Sequence, residues 1–134
     1  MINYPEKAVY TYDDLVDILR ILRAPGGCPW DREQTHESNR RNFLEEAYEA
    51  AEAFDLDDPE LMKEELGDVL FAAVKVGRFC GVDPEAALSK TCEKFIARFR
   101  KVEETVNALG EDMSALPLDE LTVSYTHLTL PTNS

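Results

Sequence analysis

Apolar residues repeat with helical period along most of this chain. The first stripe, at i, i+3, i+4 and i+7 spacing, consists of Leu15, Ile18, Leu19 and Leu22. This spacing predicts a helix that is capped by Thr11 and ends near Ala24, because a Pro-Gly-Gly stretch follows. No strand-like alternation occurs before residue 121, so the pattern predicts an all-α fold.

Three further helices are predicted downstream. They cover residues 38–55 (beginning at residue 38 or 39), 59–80 and 84–109. The last two each begin at an Asp-Pro pair, in which Asp caps the helix and Pro occupies its first position. Gly81 and Gly110 can take the left-handed conformation that ends a helix. The pattern therefore predicts a bundle of four to five helices.

An apolar seam with heptad spacing follows the last predicted helix: Leu88, Cys92, Phe95, Phe99, Val102, Val106 and Leu109. Such a seam is typical either of a homo-oligomer interface or of the core of one protomer. The final stretch, "VSYTHLTLPTNS", is rich in Thr and Ser and nearly uncharged. We therefore expect one domain over residues 1–121 and an atypical tail over 122–134, either non-native or disordered.

Two of the helices each carry a pair of acids at i, i+3 spacing on the border of an apolar stripe. The pairs are Glu46 with Glu49 and Glu65 with Asp68. A buried carboxylate is costly unless it is paired or binds a cation. Two interpretations stay open: a Mg²⁺ site built from carboxylate oxygens, or a salt-bridge network with the Lys and Arg side chains of the last helix.

Composition and charge limit the classes of function. The 134 residues include 27 acids and 14 bases, for a formal net charge of −13. This balance argues against a nucleic-acid partner, since phosphate contacts need a basic surface. The three cysteines form no CxxC pair, which predicts neither disulfides nor a zinc site and favours the cytoplasm. No signal peptide and no membrane span are predicted.

The acid pairs belong to two motifs that resemble the MazG family of all-α nucleoside triphosphate pyrophosphohydrolases. "FLEEAYEAAEAF" matches the family's EExxE motif and "EELGDVLF" matches ExxD. The preceding loop "GGCPWDREQTHES" and the later segment "EKFIARFRKVEE" also resemble family segments. Four motifs in family order extend the resemblance over about residues 12–121.

The resemblance implies Mg²⁺-dependent hydrolysis of an NTP or dNTP to the monophosphate and pyrophosphate, in nucleotide-pool house-cleaning. It implies four ligands for Mg²⁺, with Mn²⁺ as a substitute: Glu46, Glu49, Glu65 and Asp68. Glu45 matches the first glutamate of the motif, and three alternatives stay open for it: it orients water, it supports a ligand, or it lies on the solvated surface. Lys94 and Arg98 match basic positions that bind phosphates, and Lys94 joins the five acids in the predicted catalytic set.

Further substrate contacts are expected from Trp30, Asp31, Gln34 and Arg41. Trp30 either stacks on a base or fills the core. The family pattern and the heptad seam predict a homodimer or a higher homo-oligomer. Two alternatives to the function remain: a phosphoribosyl-ATP pyrophosphohydrolase-like enzyme, and a non-catalytic helical binding or regulatory module. Cys92 departs from the family, which often has Asn there, and the tail replaces the usual last helix.

Overall fold

The computed structural model describes residues 2–115 and residue 117. Its elements are α1 (Tyr12–Arg23), α2 (Pro29–Arg32), α3 (His36–Asp55), α4 (Pro59–Phe79), α5 (Pro84–Ala108) and a 3₁₀ turn (Met113–Ala115). Helices are the only regular elements over these residues, which confirms the all-α prediction. The predicted tail and the predicted domain boundary at residue 121 lie outside the described residues. The chain divides after Pro84 into two compact units.

Capping side chains determine where the helices begin. The Thr11 side chain accepts a hydrogen bond from the backbone N–H of Asp14, as predicted for the start of α1. Asp58 caps α4 in the same way, and Pro59 follows at the first helical position. α3 begins earlier than predicted because Thr35 and Ser38 cap each other reciprocally in a capping box.

α3 and α4 form a helical hairpin. The linking turn places Asp57 at φ 52°, a left-handed conformation that Asp tolerates better than most residues. The rings of His36 and Phe79, at opposite ends of the pair in sequence, lie 4.9 Å apart edge to face. The two helices are therefore antiparallel, and residues early in α3 face residues late in α4.

A reversal of the chain after α1 brings the predicted loop back against that helix. The Cys28 N–H donates to the Leu22 carbonyl at 2.8 Å. A Cβ added to Gly27 would lie 2.3 Å from this same carbonyl oxygen, so only glycine fits at this point. α2 follows directly, within the segment predicted to be a loop, and contacts α1.

The buried apolar side chains of the first unit are few and mostly small: Leu19, Ala53, Ala72 and Val74. Small side chains allow α3 and α4 to approach closely. Several large apolar side chains on the same helices stay exposed, including Tyr48 at 74% and Phe54 at 72%.

The second unit contains α5 and the 3₁₀ turn. Only two residues of the predicted heptad seam, Val102 and Val106, are buried in the described chain. Phe95 and Phe99 stack with their ring centroids 6.1 Å apart. The helix ends at Ala108, and Gly110, two residues later, has the expected positive φ of 70°. Over the described residues, no helix is long and apolar enough to cross a membrane.

Candidate active site

Three carboxylates converge on the α3–α4 hairpin. One oxygen from each of Glu46, Glu49 and Glu65 lies within 4.8 Å of the other two. Glu46 and Glu49 are one turn apart on α3, and the antiparallel register brings Glu65 of α4 opposite them. Glu46 and Glu65 are half-buried, whereas Glu49 is exposed. We call these three residues the carboxylate cluster.

Burial and mutual repulsion make it unfavourable for all the carboxyl groups of the cluster to be ionised at once. The pKa of Glu65 is raised above its usual value, first because burial removes water from the carboxylate. The charge of Glu49 is the next cause, followed by the charges of Asp68, Glu64 and Glu46. The cluster therefore has a negative field that a bound cation would neutralise.

The remaining acids of the two motifs lie at the edge of this cluster or outside it. Asp68 is exposed and is not among the three converging side chains, although its charge acts on Glu65. Its side chain is one carbon shorter than that of glutamate, which limits its reach. Glu45 and Glu52 are both exposed on α3.

A neighbouring amide holds one of the carboxylates. The Nδ2 of Asn42 donates a hydrogen bond to Glu46 Oε1 at 2.9 Å, in a partly buried position one turn earlier on α3. Sequence reasoning missed Asn42, although its i, i+4 spacing from Glu46 was a usable signal. The bond fixes the orientation of Glu46 and leaves its second oxygen available.

The loop residues predicted to bind substrate have protein partners in the structure. The Lys75 Nζ lies 4.8 Å from the centroid of the Trp30 ring and 4.0 Å from Asp31 Oδ1. These contacts fasten α2 to α4. Trp30 is 62% exposed, so the alternative in which it fills the core is wrong. Its other predicted role, stacking on a base, stays a prediction.

Two other predicted contacts, Gln34 and Arg41, lie at the start of α3. Gln34 Nε2 donates to the Trp30 carbonyl at 3.2 Å, and Gln34 Oε1 accepts from Ser38 Oγ at 2.8 Å. Arg41 is exposed and pairs with Glu37 at 3.5 Å. These contacts give both residues local roles, and their contact with substrate stays a prediction.

The predicted phosphate-binding cations belong to the second unit. Lys94 and Arg98 are one turn apart on one face of α5, with Lys94 exposed and Arg98 half-buried. At this spacing both side chains can contact one polyphosphate. Their role stays a prediction.

Comparison with known proteins assigns the family. The sequence profile described as "MazG nucleotide pyrophosphohydrolase domain" matches residues 34–103, just over half of the chain. The match includes the carboxylate cluster and Asp68. The chain belongs to the MazG family. This confirms the resemblance inferred from the motifs.

Curated relatives share the same region. A Thermotoga maritima protein named nucleoside triphosphate pyrophosphohydrolase/pyrophosphatase MazG is 49% identical over 69 residues, which are 52% of this chain and 27% of that protein. An Escherichia coli K12 protein named nucleoside triphosphate pyrophosphohydrolase is 43% identical over 74 residues, 55% of this chain and 27% of its own length. A Bacillus subtilis protein, uncharacterized protein YabN, is 50% identical over 66 residues, 48% of this chain and 14% of its own length. The matches thus span about a quarter or less of these relatives.

Proposed function

We propose that this MazG-family chain hydrolyses nucleoside triphosphates to the monophosphate and pyrophosphate in a reaction that requires Mg²⁺. The observation that carries the proposal is the carboxylate cluster, in which Glu46, Glu49 and Glu65 converge within 4.8 Å. The names of the Thermotoga and Escherichia relatives support the same activity. A role in nucleotide-pool house-cleaning is part of the proposal.

The donor set of the cluster fits a hard divalent cation. Mg²⁺ prefers oxygen ligands at about 2.1 Å in octahedral geometry, so neighbouring ligand oxygens lie about 3 Å apart and opposite ones about 4.2 Å apart. The oxygens of the cluster lie within 4.8 Å of one another, and rotation of the side chains can bring them to these spacings. The raised pKa of Glu65 points the same way, because a cation relieves the repulsion that raises it.

The side chains have distinct proposed roles. Glu46, Glu49 and Glu65 supply ligand oxygens, and Asp68 completes the set from the next turn of α4. A bound Mg²⁺ supplies charge neutralisation at the phosphates and activation of a water molecule. Glu45 orients that water, and Lys94 and Arg98 bind the departing pyrophosphate through charge-assisted hydrogen bonds.

We also propose that the chain forms a homo-oligomer. Large aromatic and aliphatic side chains stay exposed on α3 and α4, among them Tyr48 and Phe54, and burial of such side chains against a second copy supports this proposal. Light scattering after gel filtration measures the mass directly. A monomeric mass across micromolar concentrations would contradict this part of the proposal.

The test of activity is a pyrophosphate-release assay over canonical, deoxy and oxidised NTPs and phosphoribosyl-ATP, with and without Mg²⁺. The variant is Glu65→Gln, and the matched control is Glu52→Gln, an exposed acid on α3. We expect Glu65→Gln to lower kcat/KM at least about 100-fold, since loss of even an outer partner of a metal ligand costs about 10–100-fold. The control should retain activity.

Three results would contradict the proposal. Unchanged turnover in folded Glu65→Gln would remove the cluster from catalysis. Turnover confined to phosphoribosyl-ATP would identify the chain as a phosphoribosyl-ATP pyrophosphohydrolase-like enzyme. No turnover and no Mg²⁺-linked binding of a non-hydrolysable NTP would identify a non-catalytic module.

A further inference from the structure

A second polar feature of the first unit lies apart from the carboxylate cluster. It is a cavity of about 290 Å³ between α1 and the end of the α3–α4 hairpin, and its charged lining consists of Arg20, Arg23, Lys75, Arg78 and Asp31. We call it the cationic cavity. Asn39 also lines it and precedes Glu46 by seven residues, which places the two about 10 Å apart along α3.

The lining has an excess of positive charge. Lys75 pairs with Asp31 at 4.0 Å, and Arg20 pairs with Asp17 at 2.9 Å on the exposed side of α1. Arg78 has no ion pair within the part of the chain that the structure describes. In a chain of net charge −13, four cations around one cavity are a local reversal of the general charge. Such a surface attracts anions.

The buried amide of Asn39 adds a requirement for a hydrogen-bond donor. Its Nδ2 donates to the Thr35 carbonyl at 2.9 Å, which identifies Oδ1 as the acceptor end. Asn39 is only 3% exposed, and its Oδ1 has no hydrogen-bond partner among the described residues. Buried polar atoms are nearly always paired, so this carbonyl requires a donor, and the cavity that Asn39 lines is where such a donor can enter.

We propose that the cationic cavity binds a phosphate-type oxyanion that carries a P–OH group, as monohydrogen phosphate does, at a site separate from the carboxylate cluster. The guanidinium of Arg78 offers paired donors to the oxygens of the anion, a geometry that suits phosphate. The P–OH group donates to Asn39 Oδ1. Sulfate has the same charge and shape but no such donor. A nucleoside monophosphate loses its P–OH group above a pH of about 6.

The fluorescence of Trp30 gives a second signal for binding in the titration experiment. Trp30 is the one tryptophan of the chain, and it contacts Lys75 in the lining of the cavity. The full chain is titrated at pH 8 without Mg²⁺, in separate arms with inorganic phosphate, sulfate and a nucleoside monophosphate, and isothermal titration calorimetry gives the dissociation constants. We expect saturable binding of phosphate, with sulfate at least about fivefold weaker for lack of one hydrogen bond.

The variants are Arg78→Gln and its matched control Arg32→Gln, an exposed arginine of α2 outside the lining. We expect Arg78→Gln to weaken phosphate binding about 10-fold or more, because a hydrogen bond to a charged group is lost, and Arg32→Gln to leave it unchanged. If Arg78→Gln does not fold, Arg20→Gln replaces it. Glu65→Gln should bind phosphate normally, even if the proposed hydrolase activity proves wrong.

The proposal would be overturned by no saturable phosphate binding, by equal binding of sulfate and phosphate, by equal losses in the arginine variant and its control, or by loss of binding in Glu65→Gln. Saturation by the nucleoside monophosphate but not by inorganic phosphate would also overturn it. That result would assign the cavity to the phosphate of a nucleotide.

Discussion

Replacement of Asn42 by alanine tests whether the carboxylate cluster is a preorganised metal site. The change removes the hydrogen bond of 2.9 Å from Nδ2 to Glu46 Oε1. A hydrogen bond to a charged group contributes about 1.5–3 kcal/mol, and the lower end applies here because the bond is only partly buried. Since 1.4 kcal/mol corresponds to a factor of 10, we expect the Kd for Mg²⁺ to rise about 10-fold. This agrees with the loss of about 10–100-fold found when outer partners of metal ligands are removed.

Isothermal titration of the metal-free protein with Mg²⁺ measures this change, with Mn²⁺ as a second ion. Glu52→Ala is the matched control, because it places alanine at an exposed position of the same helix. Pyrophosphate release is measured beside it at increasing Mg²⁺ concentration. We expect saturating Mg²⁺ to restore most of the activity of Asn42→Ala, since only the occupancy of the site is reduced.

The result that would refute this reasoning is an unchanged or tighter Kd for Mg²⁺ in a variant that melts like the wild type. Tighter binding would mean that the amide competes with the metal for Glu46. Activity that stays low at saturating Mg²⁺ would mean that Asn42 contacts substrate or supports the helix and does not act through the metal.

Three further predictions concern stability. Glu65→Gln should raise the melting temperature of the metal-free protein at pH 7.5. The pKa of Glu65 is raised in the folded protein, so stability is lost as this carboxyl ionises at rising pH, and glutamine does not ionise. A lower melting temperature would contradict this. The hydrogen bond from Lys7 is the largest of the contacts that hold the pKa of Asp14 at about 2, so the stability that this pair contributes should be lost as the pH falls from 3.8 towards 2. Asp14→Asn should flatten that part of a plot of melting temperature against pH. Leu19→Ala, at a site 3% exposed, should lower the free energy of unfolding by about 2–5 kcal/mol in urea titrations, and a loss under 1 kcal/mol would show that the site is loosely packed.

The long helices could be predicted from the sequence because the residues that begin and end them act locally. Thr11, Asp58 and Gly110 act on the backbone within one helical turn, so the helix ends near them were predicted closely. α2 was missed because four residues are too short for a periodic pattern. The unpaired carbonyl of Asn39 could not be predicted, since it depends on which helices pack around it.

The candidate site was predicted only in part, because local signals in the sequence do not show how the helices pack. A helical wheel places Glu46 beside Glu49 on one helix, but only the register of the hairpin decides that Glu65 faces them. Trp30 shows the limit of motif reasoning. A lone tryptophan next to a predicted core helix fits a buried position, yet the ring lies outside and contacts Lys75.

The size of the buried residues explains why glutamates, and not aspartates, form the cluster. Ala53 is fully buried and Ala72 is 2% exposed, so α3 and α4 contribute small side chains to the interior of the hairpin. Helices with small side chains at their contact approach closely, and long side chains at the border can then meet across the pair. Glutamate has the length to reach this meeting point, whereas Asp68 acts on it only through its charge. Ala53 and the glutamates of "EEAYEAAEA" are therefore parts of one arrangement: the small buried side chain lets the helices approach, and the acids occupy the edge that this approach creates.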